Sequence, residues 1–180
     1  MKYIEAPFMD LEAINGPKEK NLFLAGSISG AVDWQAEIAP DLCKHCNVFN
    51  PRRANYTEYT ELDPLMEREQ ITWEYFHINK VCGKILFWFS NETLAPITLF
   101  EYGKALATFD RKNIFVGVHP EYKRKNDVYI QTELACGPLK KIHKSLIYLK
   151  HAVMDNYSPR YRTPYTSVDC KDCIGCIETF

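Results

Sequence analysis

A carboxylate that is to attack carbon has to be held among apolar groups at the edge of a ligand site, and Glu101 is the residue here that best fits. It lies one turn into an expected helix, in Pro96-Ile97-Thr98-Leu99-Phe100-Glu101-Tyr102-Gly103. Its neighbours are largely apolar, and burying an unpaired carboxylate is costly unless it has a function or a partner. The plain alternative is an exposed helix glutamate. Glu74, in Ile71-Thr72-Trp73-Glu74-Tyr75, is the second carboxylate of interest. On its own, a solvent-facing charge on an amphipathic helix beside Glu67 and Glu69 accounts for it well.

Further candidates fall in loops that follow apolar runs: Gly26-Ser27-Ile28, Asn50-Pro51-Arg52-Arg53, Asn91-Glu92-Thr93 and His119-Pro120. Small residues after the first run would let a sugar or phosphate approach backbone N–H groups at a helix start. A tight strand-to-helix turn explains the same residues without a ligand. Neither the Walker A pattern nor the spaced dinucleotide glycines occur, which weakens nucleoside triphosphate and NAD readings. Arg52 and Arg53 suit a 5′-phosphate or a bracing role at the edge, and of the two we prefer bracing. His119 has the chemistry of an acid or base, but a lone histidine at a strand end more often packs or hydrogen-bonds.

Seven cysteines make up a separate group, with Cys43 and Cys46 in a CxxC and Cys170, Cys173 and Cys176 in a CxxCxxC. The spacing is that of zinc ligands, so Cys43, Cys46, Cys170 and Cys173 could close a tetrahedral site if the tail folds back on the preceding helix. His45 or Cys176 could replace one of them. The other reading is a set of reduced surface thiols.

To converge, these loops need a scaffold of alternating strands and helices. Residues 21–25 (NLFLA), 47–49, 84–89 (KILFWF) and 113–118 (NIFVGV) read as strands. The third is apolar on both faces, as expected of a central parallel strand covered by helices. Helices are expected at 32–43 with Asp33 as N-cap, 65–81, 96–109, 127–136 and 145–154. The alternation predicts an α/β, doubly wound parallel sheet with helices on both faces and ligands beyond the C-terminal strand ends. Residues 51–64 are too long for a plain connector and are expected to be a binding loop. We expect one domain over residues 1–156 and an irregular, Cys-rich tail over 157–180.

A chain of 180 residues, 46% hydrophobic, has ample core for one domain. Its formal net charge of -1 argues against a broad basic face for a nucleic acid polymer. No apolar run approaches a membrane span. The first residues lack a basic segment followed by an apolar one, so a cytoplasmic address is the simplest expectation.

The segments FLAGSISGAVDWQ, VFNPRR, REQITWE, LFWFSNET, PITLFEYGKAL and IFVGVHPEY occur in this order. Together they resemble the nucleoside 2-deoxyribosyltransferase-like family, whose superfamily also holds 2′-deoxynucleoside 5′-monophosphate N-glycosidases. The resemblance spans roughly residues 4–133. It implies a flavodoxin-like fold and a double displacement that needs no metal. In the family's P-I-x-x-x-E-x-G segment the glutamate is the nucleophile, which Glu101 and Gly103 match. A second carboxylate on the preceding helix contacts base or sugar, which Glu74 matches, with Tyr75 one residue away. Asn91, Glu92 and Thr93 would meet the sugar hydroxyls or the base. Gly26, Ser27 and Ile28 would line the sugar or phosphate end, with Trp34, Gln35 and Asn50 nearby. Cys82-Gly83 departs from the Ala-Asp that many relatives carry before the third of these strands. The resemblance further implies a homo-oligomer whose neighbouring subunits complete each site. Base exchange leads, hydrolysis of a deoxynucleoside or its monophosphate is the rival, and a non-catalytic nucleotide-binding adaptor is the reading of another class.

Overall fold

The computed structural model describes residues 1–53 and 63–158. Six parallel strands, Tyr3–Glu5 (β1), Asn21–Gly26 (β2), Asn47–Asn50 (β3), Lys84–Phe89 (β4), Ile114–Val118 (β5) and Ile142–His143 (β6), form one sheet in the order β1-β3-β2-β4-β5-β6. Between and after them run Leu11–Asn15 (α1), Trp34–Leu42 (α2), Pro64–Phe76 (α3), Pro96–Thr108 (α4), Lys125–Cys136 (α5) and Leu146–Tyr157 (α6). Apart from the edge strand β1, this is the flavodoxin-like order, and the fold is a doubly wound α/β sheet. A π-helical turn, His77–Val81, continues α3. Among the described residues no helix is long and apolar enough to cross a membrane.

Alternation along the strands builds two cores. Phe23 and Ala25 of β2, Ile85, Phe87 and Phe89 of β4, and Ile114, Val116 and Val118 of β5 pack under α1, α3, α4 and α5. Leu22, Leu24, Leu86 and Trp88 point the other way and are covered by α2 and α6. Because β2 and β4 are buried on both faces, their sequences are continuous apolar runs rather than alternating ones. As expected, Asp33 caps α2, its side chain accepting the Ala36 N–H at 3.0 Å.

Three elements carry no clear signal in the chain. The strands β1 and β6 are three and two residues long, too short to show a period. Helix α1 has five residues, held by its Asp10 cap. Residues 54–62, most of the expected binding loop, and the tail from 159 onward lie outside the described residues.

The Cys82-Gly83 departure has a steric reason. Gly83 donates its N–H to the Lys18 carbonyl at 2.8 Å, and a Cβ on it would stand 2.7 Å from that same oxygen. Backbone cannot retreat as a flexible side chain can, so Gly83→Ala should destabilise by about 1–3 kcal/mol, the usual range for overpacking. Urea denaturation checks this. The position lies before β4, at the strand end opposite the candidate site, so the folded variant should keep its activity.

Candidate active site

The connection leaving β2 crosses to one face of the sheet and that leaving β4 to the other, so their C-terminal ends form the switch point at which doubly wound sheets bind ligands. Two sequence-expected groups meet there: Thr93 Oγ1 donates to Ser27 Oγ at 3.0 Å, tying the two loops together. Gly30, at φ 67°, lets the β2 loop turn beside Thr93. Asn91 and Glu92 are exposed on the same loop, with Asn91 Nδ2 3.4 Å from Glu121 Oε2. His119 is occupied structurally: its Nδ1 accepts the Glu121 N–H at 3.2 Å and its own N–H binds Phe89 O.

Helix α4 starts directly at the β4 loop, and its start is unusual. Ala95 takes a left-handed conformation at φ 44°, about 1 kcal/mol less favourable for a non-glycine residue. It is held by the Tyr122 hydroxyl, which donates to Leu94 O at 2.8 Å, and by Pro96, whose fixed φ suits a first helical residue. One turn on, Tyr102 packs edge-on against Phe87 and Phe89 and bonds Thr132 of α5. These contacts fix the register of α4 and hence Glu101.

Glu101 is partly buried on α4, and Glu74 is partly buried on α3. The two helices are also joined where the Lys104 ammonium lies 4.2 Å from the centre of the Tyr75 ring. Burial, reinforced by the nearby Glu74 charge and only partly offset by Lys104, pushes the Glu101 carboxyl up to about 8. Burial raises Glu74 too, against a hydrogen bond from Gln70 and the charge of Arg53. Charging both carboxyls at once is thus disfavoured, and the Gln70 and Arg53 contacts favour the charge on Glu74 over Glu101.

Both arginines are engaged by protein. Arg52 donates to the carbonyls of Ile28, Ala31 and Val32 at 3.0–3.1 Å and lies 3.6 Å from Asp33, so it ties down the whole β2 loop. Arg53 bonds Gln70 Oε1 at 2.6 Å and Glu69 at 2.8 Å. Gln70 also donates to Pro51 O and to Glu74 Oε1, each at 2.7 Å. Sequence reasoning missed Gln70, Tyr102 and Tyr122, whose signal was at most their place within or beside recognised segments.

Three expected ligand residues need correction. Trp34 is 1% exposed and Gln35 0%, because the first turn of α2 faces the sheet. The Trp34 indole donates to Ser27 O at 3.1 Å, and its ring occupies the space that a Gly26 Cβ would fill, 2.5 Å away. Asn50 is buried between the Tyr3 hydroxyl and the Arg52 N–H. These residues support the loops from beneath and do not line the switch point. Gly103 faces open space, with nothing within 4 Å of a Cβ.

Of the cysteines, Cys46 is sealed: its thiol donates to Leu42 O, and burial pushes it up to about 12. Cys43 is half-buried with its thiol toward Lys2 O. Cys170 and Cys173, like Cys176, lie outside the described residues. Among the described residues no group of three or more His, Cys, Asp or Glu side chains is arranged to hold a metal ion.

No curated protein matches the chain. A family model described as nucleoside 2-deoxyribosyltransferase like matches residues 19–122, from just before β2 to Tyr122. The matched stretch contains the switch-point loops and both carboxylates, Glu74 and Glu101, and it covers more than half of the protein. The chain belongs to the nucleoside 2-deoxyribosyltransferase-like family.

Proposed function

We propose that the protein cleaves the N-glycosidic bond of a 2′-deoxynucleoside and transfers the deoxyribose to another base through an ester on Glu101. The observation that carries this is the pair of partly buried carboxylates, Glu74 and Glu101, brought together on the two helices that follow β3 and β4. In the first half-reaction a Glu101 oxygen bonds to the anomeric carbon as the C–N bond breaks, and its electron pair leaves with the base. The proton that Glu101 gives up ends on the departing base, relayed by Glu74, so a neutral acid and a nucleoside become an ester and a neutral base. An acceptor base reverses the step. Water in its place would make the enzyme a hydrolase.

Incubation with several deoxynucleosides, with and without an acceptor base, tests this by chromatography for free and exchanged bases. Exchange is expected, with deoxyribonucleosides much faster than ribonucleosides, because an unsubstituted C2 eases oxocarbenium formation. Free base appearing equally fast without an acceptor would favour the hydrolase, and equal rates on both sugars would count against the transferase.

The uncharged nucleoside is the favoured substrate, since Arg52 Nη2 and Arg53 Nε and Nη2 donate to protein groups. Replacing both by alanine should slow nucleoside and 5′-monophosphate turnover alike and lower the melting temperature, since hydrogen bonds from a charged group stabilise by about 1.5–3 kcal/mol each. A loss confined to the monophosphate would assign them to phosphate instead.

Two further proposals concern assembly and metal. Ile71, Tyr75, Ile97 and Phe100 are exposed apolar residues on α3 and α4, and they support an oligomer formed through this face. A monomer mass by light scattering would overturn it. A structural zinc held by Cys43 with Cys170 and Cys173 is supported by Ser158, whose Oγ lies 3.0 Å from His45 Nδ1, because it brings the last described residue before the tail to the CxxC segment. With Cys46 sealed, Cys176 or His45 is the better fourth ligand. Metal analysis should find about one zinc per chain, lost with lower thermal stability in the Cys170→Ser, Cys173→Ser double variant. Absence of metal from the parent would refute it. We assign the protein to the cytoplasm on the same footing, testable by fractionation.

A further inference from the structure

Gln70 is a buried polar residue whose amide is engaged on both sides. Its oxygen accepts from Arg53 Nε at 2.6 Å, and its nitrogen donates at 2.7 Å both to Pro51 O and to Glu74 Oε1. The orientation of this amide is chemically forced. A guanidinium can only donate and a backbone carbonyl can only accept, so oxygen must face Arg53 and nitrogen must face Pro51. Glu74, on the nitrogen side, is thereby presented with a donor.

Donation to a carboxylate favours its charged form, and a polarised amide passes on part of the field of the cation behind it. Among the described residues, the groups acting on Glu74 are Gln70 from its own helix and Arg53 from the β3 loop, while Glu101 faces it from α4. Lys104 acts on Glu101 and sits over Tyr75, and Glu69 takes the other side of Arg53. Gln70 is therefore the one direct hydrogen-bond donor to either carboxylate of the pair among these groups.

We infer that Gln70 is a positioning residue that holds the negative charge of the pair on Glu74 and so leaves the mobile proton on Glu101. It rests on the carboxylate-pair mechanism for its role in turnover, but not for its electrostatics. The proton is then located on the group that must release it when the ester forms. With the charge no longer pinned, the two carboxyls would share the proton and titrate closer together.

The test is a carboxyl-carbon NMR titration of the free protein labelled at glutamate, for the parent, Gln70→Met and Gln70→Glu, alongside steady-state kinetics. Met removes both donors at similar volume. Glu keeps the Arg53 contact but turns a like charge toward Glu74. In both variants the lower of the two titration steps should rise by about one pH unit or more, and the acid limb of the rate should follow it. Melting curves identify a variant that fails to fold, and the other then decides. A lower step that stays where it is in the folded variants overturns the inference, even if activity falls, because a merely structural glutamine would do that. If the step moves but the parent exchanges or releases no base, Gln70 keeps its electrostatic role and the proposed function fails.

Discussion

Glu101→Gln is expected to abolish base exchange and, at the same time, to make the protein more stable. Losing a covalent nucleophile should lower turnover by about 10⁴-fold or more, which corresponds to some 5 kcal/mol of transition-state stabilisation. The stability gain follows from linkage. Below the ordinary glutamate value of 4.5, folded and unfolded chains are both protonated at this residue, and it contributes no difference. Between 4.5 and about 8 the unfolded chain releases the proton while the folded one keeps it, so stability falls as pH rises. Above about 8 the folded protein carries a poorly solvated charge that glutamine does not have. Since water still reaches this side chain in part, the gain should be on the order of 2 kcal/mol. Melting temperatures of variant and parent should thus coincide near pH 4 and separate progressively up to pH 9. Mass spectrometry with a 2-fluorinated sugar donor should find the parent's adduct on Glu101. An adduct on Glu74 would reverse the two roles.

Glu74→Gln should cost about 10²- to 10³-fold in turnover, the usual range for a group that moves a proton in the transition state. Its signature is chemical. A donor whose leaving group departs readily as an anion, such as a nitrophenolate, does not need the relayed proton and should recover most of the lost rate. The same change removes a like charge beside Glu101, whose carboxyl should then titrate below its parent value of about 8, with burial still holding it above 4.5. Equal losses on good and poor leaving groups would make Glu74 a binding residue and sink the relay.

What the chain revealed in advance depended on how local each cause was. The β4 run KILFWF is legible because a strand buried on both faces needs no partner to declare itself. Glu101 is legible because it stands in a largely apolar segment whose order of residues matches the family's nucleophile segment. Glu74 is not, because what distinguishes it from a surface glutamate is Gln70 one turn away and Arg53 on a different loop. Trp34 and Gln35 were misplaced because nearness to a ligand loop in sequence does not say which face of a helix meets the sheet. A bracing role for Arg52 was legible, but what it braces was not, since its three acceptors are backbone carbonyls 20 to 24 positions upstream.

The two outermost strands, three and two residues long, offer few unpaired backbone groups along which a further strand could dock. Native molecules should accordingly resist clumping even when concentrated, and any ordered association has to proceed through helices. The hazard is reserved for partial opening. A six-residue stretch as apolar and aromatic as KILFWF, with a single charge and no proline, is a strong seed for amyloid-like stacking once its neighbours let go. Turbidity should therefore track the unfolding transition under heat or denaturant rather than protein concentration at rest, which makes any loosening of the central strands a solubility defect before it is a catalytic one.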